Sequence, residues 1–155
     1  MKSEMRILLL AAAIALAGCA TGGGDRAVPG EAAAPKGGTP ESILAERATT
    51  RWTLLIEGKA AEAYDYLSPG FRAMKTREQY ATDLKNRPVK WTAVHHQGVE
   101  CPPPGEYCDV TVEIEYEVKS HLPGVGVLSA KSPVTERWIQ SDGVWYLVPK
   151  EVARN

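Results

Sequence analysis

The chain has no apolar run long enough to span a bilayer. Its longest, Ile7 to Ala17, holds eleven residues, which rise about 16 Å as a helix against a hydrocarbon core of roughly 30 Å. It also lacks an excess of one charge, with 18 basic and 19 acidic residues and a net charge of −1, and nothing in that balance points to a nucleic-acid partner. There is no HExxH, no GxSxG, no Walker motif and no Gly-rich loop between a strand and a helix, so the common signatures of zinc proteases, serine hydrolases and nucleotide-binding proteins are missing. Cysteine is scarce, with three in 155 residues, and Cys101 and Cys108 alone fall short of a zinc ligand set. No cofactor, no metal and no catalytic residue is expected.

What is present begins with the short apolar run itself. Lys2 and Arg6 precede it and the small residues Ala17 and Gly18 follow, the layout of a secretory signal. Leu16-Ala17-Gly18-Cys19 resembles the lipobox of bacterial lipoproteins. That resemblance implies cleavage after Gly18 and lipid on Cys19, which would anchor the chain to a membrane. Ala20, rather than Asp, next to the cysteine leans towards the outer membrane, with the chain facing the periplasm. Residues 20–40 contain six Gly, three Pro and five Ala, with Val28 as the only larger aliphatic. Such a stretch cannot bury enough apolar surface to fold and reads as a tether, with a reach on the order of 25 Å. The expected organisation is therefore a signal at 1–18, a lipidated cysteine and tether at 19–40, and one domain at 41–155.

An exported domain folds where disulfides persist. With Cys19 taken by lipid, Cys101 and Cys108 remain as a pair across Pro-Pro-Pro-Gly-Glu-Tyr, and a structural disulfide is expected there.

Thr39-Pro40 predicts a helix start, with Thr39 as cap. Leu44, Ala48, Trp52, Leu55 and Ile56 supply an apolar face before Gly58. A shorter helix is predicted in Lys59–Leu67, with Ala60, Tyr64 and Leu67 on one face, and Ser68-Pro69-Gly70 reads as a break. A third helix opens at Thr76, with Gln79 as capping-box partner, and runs through Tyr80 and Leu84. Beyond Pro88 the period becomes two. Val110, Val112, Ile114, Tyr116 and Val118 alternate with charged residues, marking a half-buried antiparallel strand. Residues 89–99 form its predecessor, with Trp91, Ala93, His95 and Val99 on one parity. Pro133–Gln140 and Val144–Val148 make a later pair joined by Ser141-Asp142-Gly143, an Asp-Gly hairpin signal. A further strand before Pro133 is suggested without defined ends.

The class is α+β, three helices packed on a curved antiparallel sheet. The order of elements, the short helix ending in Tyr-Leu-Ser-Pro and the final W-x-x-x-D-G-x-W hairpin resemble the nuclear transport factor 2-like family, also called SnoaL-like or cystatin-like. The resemblance spans about residues 43–149 and implies a cone of sheet closed by helices. That family holds both enzymes and proteins without activity.

Two chemistries follow from the candidate pocket residues Trp91, His95, Tyr116, Glu136 and Trp138. If His95 and Glu136 both faced the cone, desolvation would raise the carboxyl pKa and lower the imidazole's, an acid–base setting for an isomerase or hydrolase. Alternatively His95 is a hydrogen-bonded histidine at the core's edge, and Glu136 pairs with an arginine or reaches water. His95 and His96, as strand neighbours, point to opposite faces and cannot chelate one metal. The leading expectation is a binding module at the cell envelope. Its partner would be an envelope protein, a second copy in a homodimer or a small apolar ligand.

Overall fold

The computed structural model describes residues 37–120, 123–124 and 126–150. The leader, Cys19 and most of the tether lie outside the described residues. Among the described residues, four α-helices and a 3-10 turn precede four strands: α1 (Pro40–Ile56), α2 (Ala60–Ala63), η1 (Tyr64–Tyr66), α3 (Pro69–Met74), α4 (Arg77–Lys85), β1 (Val89–Glu100), β2 (Tyr107–Lys119), β3 (Val127–Ser141) and β4 (Val144–Val148). The strands form one antiparallel sheet in the order β1-β2-β3-β4. The fold is thus α+β, with the helices before the sheet.

Local chemistry explains most of these boundaries. Thr39 caps α1 by accepting from the Ser42 amide, and Thr76 and Gln79 form the expected capping box on α4. The predicted break at Ser68-Pro69-Gly70 is instead a helix start. Ser68 accepts from the Phe71 amide and Pro69 takes the first helical position, so α3 was concealed by residues that also make turns. The Asp142-Gly143 turn has positive φ at both residues, 51° and 79°, as a type I′ hairpin requires. β3 runs unbroken through Pro133, joining the two strand segments that the sequence left separate. β4 pairs only with Arg137–Ser141, so Pro133 sits where β3 has a neighbour on one side alone, and its missing N–H is tolerated.

Val110, Val112 and Ile114 are buried against α1, together with Leu44, Ala48, Leu55 and Trp138. The opposite face of the sheet carries ion pairs. Asp109 accepts two bonds of 3.0 Å from Arg137, and Glu115 lies 2.7 Å from Lys131 and 3.0 Å from His95. Hydrogen bonding from Lys131, then from His95, holds the Glu115 carboxyl below its ordinary pKa. The helical half is tied to β4 by the Ser68 amide, which donates to the Leu147 carbonyl at 2.8 Å, and by Arg47 Nε, which donates to the Trp145 carbonyl at 2.9 Å.

Cys101 and Cys108 are joined as a disulfide across the β1–β2 loop. Replacing both by alanine opens a ring of eight residues and is expected to lower stability by about 2.5 kcal/mol on the loop-closure account. Urea denaturation of the pair variant against the oxidised protein measures this.

Candidate functional site

The site is built on the face of α1 that points at the sheet. Arg47 and Arg51 stand three residues after Leu44 and Ala48, so helical spacing puts them on the same stripe, and both are buried. Arg51 Nη1 meets Glu136 Oε1 at 2.7 Å, with the two side chains 8% and 6% exposed. Its Nη2 donates to the Tyr80 hydroxyl at 3.2 Å, which links α1 to α4. Burial by itself pulls the Arg51 pKa down. The Glu136 carboxylate, with Tyr80, outweighs that effect and leaves the guanidinium above its usual value. Arg51 is therefore a fixed cation.

Around this ion pair opens a cleft of about 1130 Å³, somewhat above the range of ligand pockets, roughly 300–1,000 Å³. One wall is the α3–α4 arm, with Phe71, Tyr80 and Leu84; the other is formed by Trp52 and Leu55 of α1, Trp91 of β1 and Val134 of β3. Trp52 and Trp91 meet edge to face, centroids 5.3 Å apart at 87°. A side chamber of about 270 Å³ continues past Trp91, Tyr116 and Val134. The arm is hung from η1: the Tyr64 hydroxyl lies 3.1 and 2.7 Å from the Arg72 and Lys75 carbonyls, and Arg77 forks onto Asp65 at 2.5 and 3.0 Å. Tyr80 packs between Tyr64, tilted at 56° with centroids 5.8 Å apart, and Phe71, edge to face at 6.4 Å. Glu136 Oε2, Arg51 Nε and Trp52 Nε1 are buried without a hydrogen-bond partner among the described residues, each a cost of about 1–3 kcal/mol.

Trp91, Tyr116 and Glu136 thus come together at the cleft and its side chamber. Trp138 does not: it has no exposed surface and belongs to the core beneath. His95 departs from the expectation that it shares a face with Trp91. The register of β1 against β2 slips between Trp91 and Ala93 and again between His96 and Gly98. The first slip inserts an extra residue and turns the chain over. Trp91 then pairs with Tyr116 and Val94 with Ile114 on the inner side, while His95 goes to the outer face beside Glu115. The structure does not bring His95 and Glu136 to one point. Among the described residues, no three of His, Cys, Asp or Glu gather as a metal group.

Arg51 and Tyr80 are site residues that sequence reasoning missed. Tyr80 was read as a plain apolar position. The signal for Arg51 was an arginine inside an apolar stripe, which demands a buried anionic partner; Glu136, on the inward parity of β3, is that partner.

No family model matches the chain, and no curated protein does. Solved structures do resemble it. A SEC-C motif containing protein from Rhodopseudomonas palustris superposes with a TM-score of 0.51 at 9% identity, over 70% of this chain and 77% of that one. A putative calcium/calmodulin dependent protein kinase II association domain from Xanthomonas campestris gives 0.46 at 14% identity, over 76% and 89%. A SEC-C motif containing protein from Psychrobacter arcticus gives 0.46 at 14% identity, over 70% and 60%. These likenesses concern the path of the chain alone. The expected membership of the nuclear transport factor 2-like family is corrected by the first of these, the 0.51 superposition on a SEC-C motif containing protein. The element order and hairpin motif behind that expectation describe a general α+β layout. The lipobox half of the expectation finds no support among these proteins either, and Leu16–Cys19 lies outside the described residues.

Proposed function

We propose that this domain is a binding module whose cleft takes a small, largely apolar ligand. The observation that supports this most directly is the open cleft itself, walled by Trp52, Trp91, Phe71, Leu55 and Leu84. Its central carboxylate, Glu136, is already neutralised by Arg51. Such a floor sets a fixed polar pair at the base of apolar walls, where it can orient a ligand. In this reading the sheet curls over the helices as a shallow cone, and the cleft is its mouth. The domain would work at the cell envelope on the periplasmic side, held near the membrane through Cys19 and the Gly/Ala/Pro tether, with the Cys101–Cys108 disulfide suited to an oxidising compartment.

The test uses N-phenyl-1-naphthylamine, an uncharged apolar fluorophore. Saturable one-to-one binding to the native protein is expected, with quenching of tryptophan emission through Trp52 and Trp91. Val134→Trp and Leu84→Trp narrow the cleft from opposite walls and should each weaken binding at least tenfold, with near-UV circular dichroism unchanged. Absence of saturable binding, or binding indifferent to both substitutions, would overturn the reading.

A further inference from the structure

The charged side chains lining the cleft are unevenly matched. Arg51, Lys75, Arg87 and Lys150 face only two carboxylates, Asp83 and Glu136. Glu136 is taken by Arg51, and Asp83 is in contact with Lys75. Lys150 is beyond ion-pairing distance of any carboxylate among the described residues; its charge only adds at longer range to Arg137, which chiefly holds the Asp109 carboxyl below its ordinary pKa. Arg87 differs in standing against an aromatic wall of the cleft. It is exposed just beyond the end of α4, and it has no carboxylate partner among the described residues. Its guanidinium carbon lies 5.9 Å from the centroid of the Trp91 ring. At that distance the cation is within cation–π reach of the ring, and its side-chain N–H donors make no hydrogen bond among the described residues. A cation with spare donors therefore stands at the lip of an aromatic-walled cleft.

We propose that the ligand is an amphiphile with one terminal carboxylate. Its apolar body lies between the α3–α4 arm and the Trp52–Trp91 corner, and its head group takes the free edge of Arg87. This rests on the binding reading above and adds the head group to it. A carboxylate is planar and matches a single guanidinium fork with two parallel N–H···O bonds. The excess of cations along the cleft favours an anion over a cationic or neutral head of the same shape. Leu84 lines the cleft three residues before Arg87, so contact with the ligand's body and contact with its head fall on the same stretch of chain.

The experiment displaces N-phenyl-1-naphthylamine from the full domain with four ten-carbon ligands below their micellar concentrations: decanoate, decanol, decyltrimethylammonium and decyl phosphate. Decanoate is expected to displace the probe roughly tenfold more effectively than decanol, the gain of one charge-assisted fork at a partly exposed site. Decyltrimethylammonium should be the weakest. Arg87→Gln should erase the difference between decanoate and decanol, each measured against the variant's own affinity for the probe; a merely structural role for Arg87 would weaken both ligands alike and leave their ratio near tenfold. Equal displacement by decanoate and decanol overturns the head-group assignment and leaves the apolar cleft intact. A carboxylate preference that survives Arg87→Gln overturns it too, as does decyl phosphate outcompeting decanoate. Failure of the probe itself to bind removes both readings together.

Discussion

Replacing Glu136 by alanine is expected to destabilise the domain by about 3–5 kcal/mol, because it strands a buried arginine rather than because the pair itself contributes that much. Arg51 and Glu136 lie 2.7 Å apart with little solvent on either. Removing the carboxylate leaves the guanidinium, among the described residues, with the Tyr80 hydroxyl at 3.2 Å and the Trp52 ring 5.3 Å from its carbon. The double substitution Arg51→Met with Glu136→Leu removes both charges and keeps much of the volume. It should restore most of the loss, since apolar replacement of a whole buried ion pair is often neutral or stabilising. Urea midpoints of the two single variants and the double variant form a cycle that separates these cases. A double variant as unstable as Glu136→Ala would show that the loss comes from packing and not from an orphaned charge. The same variants bear on ligand binding: a folded double variant lacks the polar floor while its aromatic walls remain.

Trp138→Ala should cost a comparable amount, about 3–5 kcal/mol, through a different mechanism. Trp138 has no exposed surface and stands opposite Cys108 in the β2–β3 register. Truncation opens a cavity beneath the sheet that a strand pinned on both sides cannot collapse into. β4 holds it there, because Trp138 is also in register with Leu147. Trp138→Phe should cost less, and it also removes an indole N–H that is buried without a partner. Calorimetry or urea denaturation checks both, and a loss under about 1 kcal/mol for Trp138→Ala would contradict its place in the core. Trp138 and Glu136 are two residues apart on one face of β3, so combining their substitutions should give non-additive losses.

Several elements could be read from the residues because the information lies in neighbours along the chain. Thr39-Pro40, the Thr76–Gln79 box and Asp142-Gly143 act over three or four residues, and each does what its local chemistry dictates. The alternation in β2 was equally plain, since a long strand with one dry face must keep its parity. β1 could not be read in this way. Its two slips are set by how it pairs with β2, and nothing in Val89–Glu100 marks them except Gly98 near the second. One unseen slip was enough to send His95 to the wrong side. Ser68-Pro69 was ambiguous because a cap followed by proline opens both turns and helices, and only packing against Tyr64 and Leu147 decides which. Of the cleft, Glu136, Trp91 and Tyr116 were legible from strand parity. Arg51 and Tyr80 were not, because their roles depend on partners 85 and 29 residues away in the chain.

Among the described residues β4 pairs only with Arg137–Ser141, so the first part of β3, from Val127 to Glu136, has β2 alone as a strand neighbour. Val127 and Leu128 are both more than half exposed there, and a flat ribbon of that kind invites another molecule to zip alongside it. Lys131 and Pro133 interrupt the ribbon, one with a charge and the other with a missing donor. A charge and a missing donor both make that margin of the sheet a poorer template for another strand.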